Sequence, residues 1–525
     1  MESQTSLVEK ITLSLAACGF TWLLLQLCYT WLLKPKRLRA KLQAQGIRGP
    51  SPSCLYGNIP EMTKIQLQTR STEIATCHLK DIKIIHDWAD IVFSHIERWR
   101  NEYGPIFMYS AGCMQVLCIT DPKMVKEVST YTGLNFGKPS YLSKDRGPLL
   151  GHGILSSSGL YWVHQRKIIA PEFYIDKVKG MLNLMVESTF TMLKSWEREV
   201  EKGGGMTEIK VDDDLRRLSA DIISKACFGS SYSQGEKIFT TLGVLQKTMS
   251  KSNVGVPGLR YLPTKNNREI WKLEKEIKYE IVKVVRAQSG ASREKNLLQL
   301  ILEAAKNNRD NDHDMPKNIS PDKFIVDNCK NIYFAGHETT AISASWCLML
   351  LAEYPVWQAQ VRAEVLQICG DKVPDADMLR NMKVLTMVIQ EALRLYPPVA
   401  YVVREALEDM KLKSIKIPKG INVQIVIPVL HRLPELWGPD VDHFNPVRFA
   451  KGITGACRIP QAYMPFGVGT RICVGQHFAM VELKVILALI VSRFSFSLSP
   501  AYQHSLVFRL VIEPENGIYL HVKRL

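Results

Sequence analysis

Hydrophobic and polar positions divide the chain into a short apolar N-terminal run and a long body with mainly helical periodicity. From about residue 90 onward apolar residues recur at helical spacing, and short strand-like runs occur at 106–109, 115–119 and 421–427. Polar stretches rich in helix breakers predict a turn between two helices at 201–205 and an extended polar loop at 303–318. The pattern therefore predicts a mainly α fold with small β-sheets.

One predicted helix is long and has a polar centre. Ser320 suits the N-cap, Pro321 suits the first helical position, and the apolar pattern continues until Pro355. The stretch 335–340, Ala-Gly-His-Glu-Thr-Thr, places a glycine and two β-branched residues in the middle of that helix, where they weaken it. We therefore expect something to bind at the centre of this buried helix.

The apolar N-terminal run predicts a membrane anchor. Residues 11–33 carry no charge, and at about 1.5 Å rise per residue such a helix crosses a hydrocarbon core of roughly 30 Å. Basic residues follow within 34–41, which by the positive-inside rule predicts a cytosolic body. The run is long for the core of a cleaved signal peptide, and its basic cluster follows rather than precedes it, so an uncleaved anchor is favoured.

These patterns predict four segments along the chain. They are a short lumenal N-terminus at 1–10, a transmembrane anchor at 11–33, a basic and proline-rich linker at 34–55, and one body domain at 56–525. No composition break divides the body, and no internal repeat is visible.

Composition narrows the partner classes. The net charge is +16, but the basic residues are scattered and none of them forms a block beside an aromatic reading motif, so nucleic acid is not an expected partner. An anionic membrane surface or an acidic protein partner is favoured, with a solvated basic face as the alternative. The 12 cysteines show no C-x-x-C pair or regular spacing, which is typical of a reducing compartment with mostly inert thiols.

The most specific chemical signal is the segment 465–475, Pro-Phe-Gly-Val-Gly-Thr-Arg-Ile-Cys-Val-Gly. Its three glycines allow positive φ and close approach to a flat partner, and an apolar helix is predicted from Gln476 to about Phe494. Cys473 would then lie at a helix N-terminus, where the dipole and free N–H groups favour a thiolate. Such a thiolate suits an axial ligand of haem iron, whereas an ordinary buried cysteine in a glycine turn is the alternative.

A second glycine-rich segment has the appearance of a nucleotide-binding loop. The stretch 133–138, Gly-Leu-Asn-Phe-Gly-Lys, imitates a phosphate loop. The segment has one residue fewer than the phosphate-loop motif and is followed by Pro139, so no phosphate site is predicted there.

Four motifs together resemble the cytochrome P-450 superfamily of haem-thiolate monooxygenases. Segment 465–475 resembles its haem-binding signature, 391–394 its E-x-x-R motif, 162–166 its W-x-x-x-R motif, and 335–340 its oxygen-activating motif A-G-x-E-T-T. All four occur in the order of the family. The resemblance implies the cytochrome P-450 fold for 56–525, with haem b between the long central helix and the loop that carries the ligand Cys473.

The resemblance also implies which side chains surround the haem. Cys473 is expected to bind the iron, and Phe466 belongs to the same loop. Guanidinium groups pair with carboxylates in bidentate fashion, which suits the two haem propionates. The side chains expected at the propionates are Trp162, Arg166, Arg404 and Arg471.

Two residues of the central helix are the expected catalytic pair. Splitting iron-bound O2 requires protons, and the resemblance implies that Glu338 relays them while the Thr339 hydroxyl orients water. Gly336 is expected to make room for O2. A helix kink with buried hydroxyls is the alternative interpretation of the same residues.

A structural triad is expected beside the haem loop. Glu391 and Arg394 are three residues apart on one helix face, and the family adds an arginine that corresponds to Arg448. Val447 stands where the family has a glutamate, which affects only the local contacts of that carboxylate. The alternative is a surface ion pair, which would contribute only about 0.3–0.5 kcal/mol.

A closer resemblance indicates the substrate class. The stretches 162–181, 220–231 and 324–337 resemble a plant group that includes gibberellin oxidases. This implies hydroxylation or epoxidation of a terpenoid, namely a gibberellin or related tetracyclic diterpenoid acid, or alternatively a pentacyclic triterpenoid acid. The segments expected to decide the substrate are 141–153, 242–256, 399–403 and 505–508. Within the first of them, Lys144 or Arg146 would bind a substrate carboxylate; the alternative is that both are solvated surface charges.

The resemblance also implies partners and location. No flavin or nicotinamide site is visible, so electrons are expected from NADPH–cytochrome P-450 reductase, with O2 as co-substrate. The expected location is the endoplasmic reticulum membrane, with a single-pass anchor and a cytosolic catalytic domain. Two other classes compete: a haem-thiolate isomerase or dehydratase that does not use O2, and a non-catalytic haem carrier or scaffold. The intact pair Glu338 and Thr339 argues against both.

Overall fold

The structure is a computed structural model that describes residues 2–77, 84, 86–229, 232–251, 254–288, 296–307 and 319–525. Helices make up most of it. Their bounds are α1 Glu2–Cys28, α2 Lys34–Gln43, α3 Ile59–Cys77, α4 Trp88–Val92, α5 Ser94–Tyr103, α6 Pro122–Thr130, α7 Ser140–Lys144, α8 Gly147–Leu150, α9 Gly159–Ile169, α10 Ile175–Gly180, α11 Leu182–Lys202, α12 Val211–Phe228, α13 Tyr232–Ser250, α14 Lys265–Gln288, α15 Leu297–Asn307, α16 Pro321–Glu353, α17 Pro355–Cys369, α18 Ala376–Asn381, α19 Lys383–Leu395, α20 Ile427–Leu430, α21 Pro434–Trp437, α22 Gly452–Ala456 and α23 Gln476–Val491.

Short strands form small sheets at the edges of the helical body. Their bounds are β1 Ile106–Ala111, β2 Met114–Ile119, β3 Phe136–Gly137, β4 Met206–Lys210, β5 Tyr401–Ala406, β6 Met410–Leu412, β7 Ile415–Ile417, β8 Asn422–Val426, β9 Phe494–Leu498, β10 Leu506–Phe508, β11 Ile512–Pro514 and β12 Tyr519–Arg524. The largest sheet has the order β1-β2-β8-β5-β3, a second has the order β4-β12-β9, and β6-β7 and β10-β11 are hairpins. The predicted fold class is confirmed.

The three strand-like runs of the sequence correspond to β1, β2 and β8. Strands β1 and β2 form an antiparallel hairpin in which Ile106 pairs with Ile119, and β8 joins β2 in parallel, with Val116 opposite Asn422. The apolar side chains of β2 and β8 are buried, as expected for inner strands of a covered sheet.

Two local predictions are wrong in part. The turn at 201–205 leads from α11 into the strand β4, not into a helix, because β4 pairs with β12 at the far end of the chain. The polar loop predicted at 303–318 begins later, since α15 continues to Asn307 and buries an apolar face through Leu298 and Ile301. Residues 308–318 lie outside the described residues.

The long central helix is α16, and it runs unbroken through its polar middle. The Ser320 hydroxyl accepts a hydrogen bond from the Lys323 N–H at 3.3 Å, and the helix ends before Pro355. It packs against α12, α15 and α23. Burial of its apolar residues on all sides stabilises the helix where glycine and threonine weaken it.

The N-terminal region is helical as far as Gln43, with a π-helical turn at Tyr29–Leu33. Among the described residues one helix, Lys10–Gln43, is long and apolar enough to cross a membrane. Its last part packs on the body: Leu42 is fully buried, and the Arg39 guanidinium donates to the carbonyls of Gly49 and Pro50 at 3.0 and 2.7 Å. This contact fixes where the apolar helix leaves the body.

Candidate active site

The cysteine loop is held by its own backbone. The Cys473 N–H donates to the Phe466 carbonyl at 2.8 Å, which closes the loop just before α23. Gly467 and Gly469 have φ of +73° and +69°, a region that side chains disfavour. A Cβ added at Gly469 would lie 2.4 Å from the Ser129 carbonyl oxygen on α6, so only glycine fits there. The glycines thus allow the loop to turn tightly and to pack against α6.

The thiol of Cys473 differs from the buried cysteines of the body because its side chain is exposed. Surrounding protein nevertheless raises the pKa of the Cys473 thiol by desolvation, while the Gly475 N–H and the charge of Arg166 act in the opposite direction. That the helix N-terminus favours a thiolate at Cys473 stays a prediction. A bound metal ion would stabilise the deprotonated sulfur further.

Helix α9 lies against the same loop. Arg166 donates from Nη1 to the Ile472 carbonyl at 2.9 Å, directly beside Cys473. The guanidinium carbon of Arg471 lies 4.1 Å from the centre of the Trp162 ring, a cation–π contact, and Arg471 donates to the Ser157 carbonyl at 2.9 Å. The structure thus brings three of the predicted haem-binding side chains together around the cysteine loop.

Four basic side chains converge near this loop. Arg404 lies on β5, and Lys138 follows β3, whose Gly137 pairs with Glu405. Burial lowers the pKa of Arg404 to about 10 and, together with Arg404, that of Arg471 to about 9. Burial and the charges of Arg404 and Arg471 hold the pKa of Lys138 well below its usual value.

This cation cluster, Arg166, Arg404, Arg471 and Lys138, forms no ion pair with any residue that the structure describes. Buried charges are normally paired, so the cluster calls for an anionic ligand. The two propionates of a haem provide that charge, and the Cys473 sulfur beside them provides an iron ligand. The donor set therefore fits a haem. Lys138 was missed because the segment 133–138 was considered only as a phosphate loop.

The predicted structural triad forms on the other side of the loop. The Arg394 guanidinium donates two hydrogen bonds of 2.7 Å to the carboxylate of Glu391, and both side chains are fully buried. Arg448 lies 3.6 Å from Glu391 and pairs with Asp440 at 2.8 Å. Val447 is exposed, so the residue that departs from the family pattern does not affect the triad.

A buried histidine connects this triad to the cysteine loop. The Met464 N–H donates to His431 Nε2 at 3.1 Å, so Nδ1 carries the hydrogen and donates to the Arg394 carbonyl at 3.0 Å. Burial lowers the pKa of His431 to about 3, which keeps the ring neutral. This contact could not be predicted, because His431 lies in an irregular segment far from either motif.

The predicted catalytic pair lies in the middle of α16. Thr339 donates from its hydroxyl to the Ala335 carbonyl at 2.7 Å, which leaves its lone pairs free to accept from water. Glu338 is buried. Desolvation would raise the pKa of Glu338, but His337 and Arg216 lower it to about 2, which favours the carboxylate. Gly336 faces α12, where an added Cβ would lie 2.7 Å from Ile223, so the glycine permits helix packing and does not simply make room for O2.

Arg216 on α12 was not found from the sequence. Its Nε lies 3.1 Å from Glu338, and its other nitrogens lie 2.9 Å from Asp212 and from Glu513 on β11. The residue belongs to no recognised motif. A basic residue near the start of an otherwise amphipathic helix looks like a solvated charge in the sequence.

Comparisons with known proteins agree with this site. The family model described as Cytochrome P450 matches residues 79–522. Cytochrome P450 714C2 from Oryza sativa subsp. japonica is 51% identical over 99% of this chain and 98% of its own length. Cytochrome P450 714A2 from Arabidopsis thaliana is 46% identical over 93% of each chain. The solved heme domain of a cytochrome P450DA mutant is 25% identical, with a TM-score of 0.70 over 83% of this chain and 93% of that domain.

The relatives match along nearly the whole chain, and the solved haem domain shares its fold. A cysteine beside a cluster of cations that have no acidic partner in the described part of the chain is the site such a fold needs for iron protoporphyrin. The chain therefore belongs to the cytochrome P450 family, as do its plant 714 relatives, and is a monooxygenase whose cofactor is haem b.

Proposed function

We propose that this cytochrome P450 hydroxylates or epoxidises a terpenoid acid, in the first place a gibberellin or a related tetracyclic diterpenoid acid. Family membership gives the enzyme O2, a redox partner and a small-molecule substrate. The substrate class is supported by the likeness of 162–181, 220–231 and 324–337 to plant gibberellin oxidases. We assign the electron supply to NADPH–cytochrome P-450 reductase.

The arrangement of the four predicted substrate-deciding segments supports one shared pocket. Arg146 donates to the Met249 carbonyl, which joins segment 141–153 to segment 242–256. Tyr401 and Phe508 join the other two segments, with ring centres 5.4 Å apart. Tyr141 and Tyr401 are close enough that each influences the pKa of Tyr109. Aromatic residues thus lie where the segments meet, and aromatic side chains suit the recognition of a rigid polycyclic substrate.

Neither basic residue of segment 141–153 is assigned to the substrate carboxylate. Lys144 is exposed, so solvent satisfies its charge. Arg146 is buried, and its guanidinium ties two segments of the pocket together. The acid selectivity of the enzyme therefore has to be measured with a panel of substrates.

We assign the haem contacts to the side chains of the cysteine loop and the cation cluster. Cys473 would bind the iron, Phe466 would lie beside the ligand, and Trp162 with the cation cluster would hold the propionates. When bound, haem supplies the activation of O2 and the insertion of one oxygen atom into the substrate. The observation that carries this assignment is an exposed thiol beside four cations that have no acidic partner among the described residues.

We assign proton delivery to Glu338 and Thr339. Glu338 is ionised near neutral pH, so it must accept a proton before it can pass one on. The partly exposed Arg216 beside it marks the side from which solvent protons arrive. Thr339, with lone pairs free, would orient the water that carries the proton onward.

We also propose a single-pass anchor in the endoplasmic reticulum membrane, with residues 1–10 lumenal, 11–33 spanning and the body cytosolic. The apolar helix and the basic residues that follow it support this orientation. Protease treatment of sealed microsomes tests it. We expect an N-terminal tag to be protected and the body to be digested, and a protected body would contradict the proposed orientation.

The central test incubates microsomes that contain the enzyme with NADPH, reductase and a panel of tetracyclic diterpenoid and pentacyclic triterpenoid acids. We expect products that gain one oxygen from the diterpenoid acids, no product without reductase, and no product from Cys473→Ser. If only the triterpenoid acids yield products, the proposed substrate class changes from diterpenoid acids to triterpenoid acids. Turnover without NADPH would indicate an isomerase or dehydratase, and a reduced carbon-monoxide spectrum without thiolate ligation would overturn the ligand assignment.

A further inference from the structure

Glu338 has a second neighbour whose chemistry the proposed mechanism does not use. His337 precedes it on α16, and adjacent residues of a helix normally point in different directions. Here the two side chains meet, because His337 Nε2 lies 3.3 Å from Glu338 Oε2. Both residues are 4% exposed, so water does not separate or screen them.

The other ring nitrogen determines the protonation of His337. Its Nδ1 lies 2.6 Å from the Tyr333 carbonyl oxygen, one helical turn earlier. A carbonyl only accepts hydrogen bonds, so Nδ1 must carry a hydrogen and donate it. Nε2 then faces the Glu338 carboxylate either bare, in a neutral ring, or protonated, in an imidazolium.

The two oxygens of Glu338 have different partners. Oε1 receives the Nε–H of Arg216 at 3.1 Å, which leaves Oε2 to His337. With Nε2 bare and Glu338 ionised, two lone pairs would face each other at 3.3 Å in a buried site, which is unfavourable. A proton on either atom removes this repulsion and creates an attractive contact.

The charges around Glu338 also call for one additional proton. Helix α12 contributes Arg216 and Asp212, and the hairpin β10-β11 with its turn contributes Arg509 and Glu513, which pair at 3.0 Å. Two guanidinium groups thus face three carboxylates, Glu338 included. A single proton shared with His337 brings this group of charges to neutrality.

The remaining neighbours do not change this balance. Asp213 lies 4.0 Å from Arg216, but it is half exposed and pairs with Lys210 at 2.9 Å. From α13 the ring of Phe239 packs edge-on against His337, with centres 4.8 Å apart, and contributes no charge. The pair therefore lies between an apolar ring and the charges around Arg216.

We propose that one exchangeable proton resides between His337 Nε2 and Glu338 Oε2, so that this pair, and not Glu338 alone, holds the proton next to Thr339. The inference rests on the proposed role of Glu338 and extends it. Proton transfer breaks the Nε2–H bond and forms the Oε2–H bond. The proton then passes to water beside Thr339, and the pair regains one proton from solvent through the partly exposed side of Arg216.

His337 then acts as a positioning residue: it keeps a proton available to Glu338, which is otherwise ionised. Glutamate with a pKa of about 2 carries almost no proton near neutral pH. Imidazole is the side chain best suited to hold a proton in this range. The pair therefore supplies the proton that ionised Glu338 lacks.

The test is nuclear magnetic resonance of the full-length, haem-loaded enzyme with ¹⁵N-labelled histidine, together with infrared titration of protonated carboxyl groups. Loss of signal in His337→Gln and Glu338→Gln identifies the two groups. We expect at about pH 7 either a doubly protonated His337 ring or a protonated Glu338. Because His337 lowers the pKa of Glu338, we also expect the Glu338 carboxyl signal to appear at higher pH in H337Q.

The matched control is His521→Gln, which removes a histidine 3.8 Å from Glu208 on the surface strand β12 and should leave the Glu338 titration unchanged. A bare Nε2 together with an ionised Glu338 in the parent enzyme would overturn the proposal. If H337Q does not fold, the parent and E338Q still decide, because the parent spectrum shows whether Nε2 carries a proton and E338Q identifies the Glu338 carboxyl signal. Neither readout needs turnover, whereas the carbon-monoxide spectrum of the parent tests the proposed function separately.

Discussion

Replacing Arg394 by lysine should destabilise the enzyme strongly although the charge is kept. Arg394 donates two hydrogen bonds to Glu391 and three to the carbonyls of His431, Val441 and His443. Lysine has three donors on a single nitrogen and no planar fork, so it cannot satisfy both the carboxylate and the separated carbonyls.

The magnitude follows from these contacts. At least two hydrogen bonds to a charged group are lost in R394K, each worth about 1.5–3 kcal/mol. Disruption of a fully buried ion pair costs about 3–5 kcal/mol, which agrees with that sum. We therefore expect the free energy of unfolding to fall by about 3–5 kcal/mol. The cysteine loop should loosen too, because the Arg394 guanidinium donates to the His431 carbonyl, and the His431 ring accepts the Met464 N–H.

The assay is denaturant unfolding of the detergent-solubilised chain, followed by circular dichroism, with the reduced carbon-monoxide spectrum as a measure of haem in the intact loop. Arg380→Lys is the matched control, because Arg380 forms a pair with Asp377 at the same helical spacing, 3.2 Å long but about three-quarters exposed. We expect R380K to change stability by less than about 0.5 kcal/mol. If R394K stays within about 1 kcal/mol of the parent and keeps its haem, the triad does not support the loop.

Three further predictions concern buried charges. Burial raises the pKa of Glu482 to about 8 from an ordinary value of 4.5, so the folded state binds a proton that the unfolded state releases. The free energy of unfolding should therefore fall as pH rises from 4.5 to 8. Denaturation across this range should show a smaller fall in Glu482→Gln. Burial lowers the pKa of His95 to about 3 from 6.5, so the free energy of unfolding should fall as pH falls from 6.5 to 3. His95→Phe should reduce this loss of stability and should be as stable as the parent at pH 8. Arg471→Gln should speed haem transfer to apomyoglobin ~10-fold through a lost propionate contact, whereas exposed Arg458→Gln should not, and equal rates would contradict the role of the cation cluster.

The fold was predictable wherever local periodicity dominates. Strands β1 and β2 are mostly apolar, polar and apolar residues alternate at the start of β8, and α16 carries both a capping serine and a terminating proline. Strand β4 was missed because its hydrogen-bonding partner β12 lies at the other end of the chain, so no local pattern distinguishes it from a loop. Secondary structure that depends on distant pairing needs the tertiary fold to identify it.

The site was predictable where family motifs mark it. Cys473, Trp162 and Arg166 are fixed by short motifs, and the structure places them together. Lys138 and Arg216 belong to no motif, and they reach the site only because β3 pairs with β5 and α12 packs on α16. The protonation of Cys473 depends in the same way on the surrounding fold, because desolvation acts against the thiolate that the Gly475 N–H and the charge of Arg166 favour.

The two groups of charges in the active site are balanced in different ways, and this difference indicates their functions. The cation cluster around Arg404 and Arg471 has no acidic partner among the residues that the structure describes, so its balance has to come from a ligand with negative charge. Around Glu338 the guanidinium groups face more carboxylates than they can neutralise, so the balance there needs only a proton. A large anion and a proton are what a haem monooxygenase must take up at separate places. We therefore propose that the unpaired positive charge holds the cofactor and that the excess negative charge lies on the proton path.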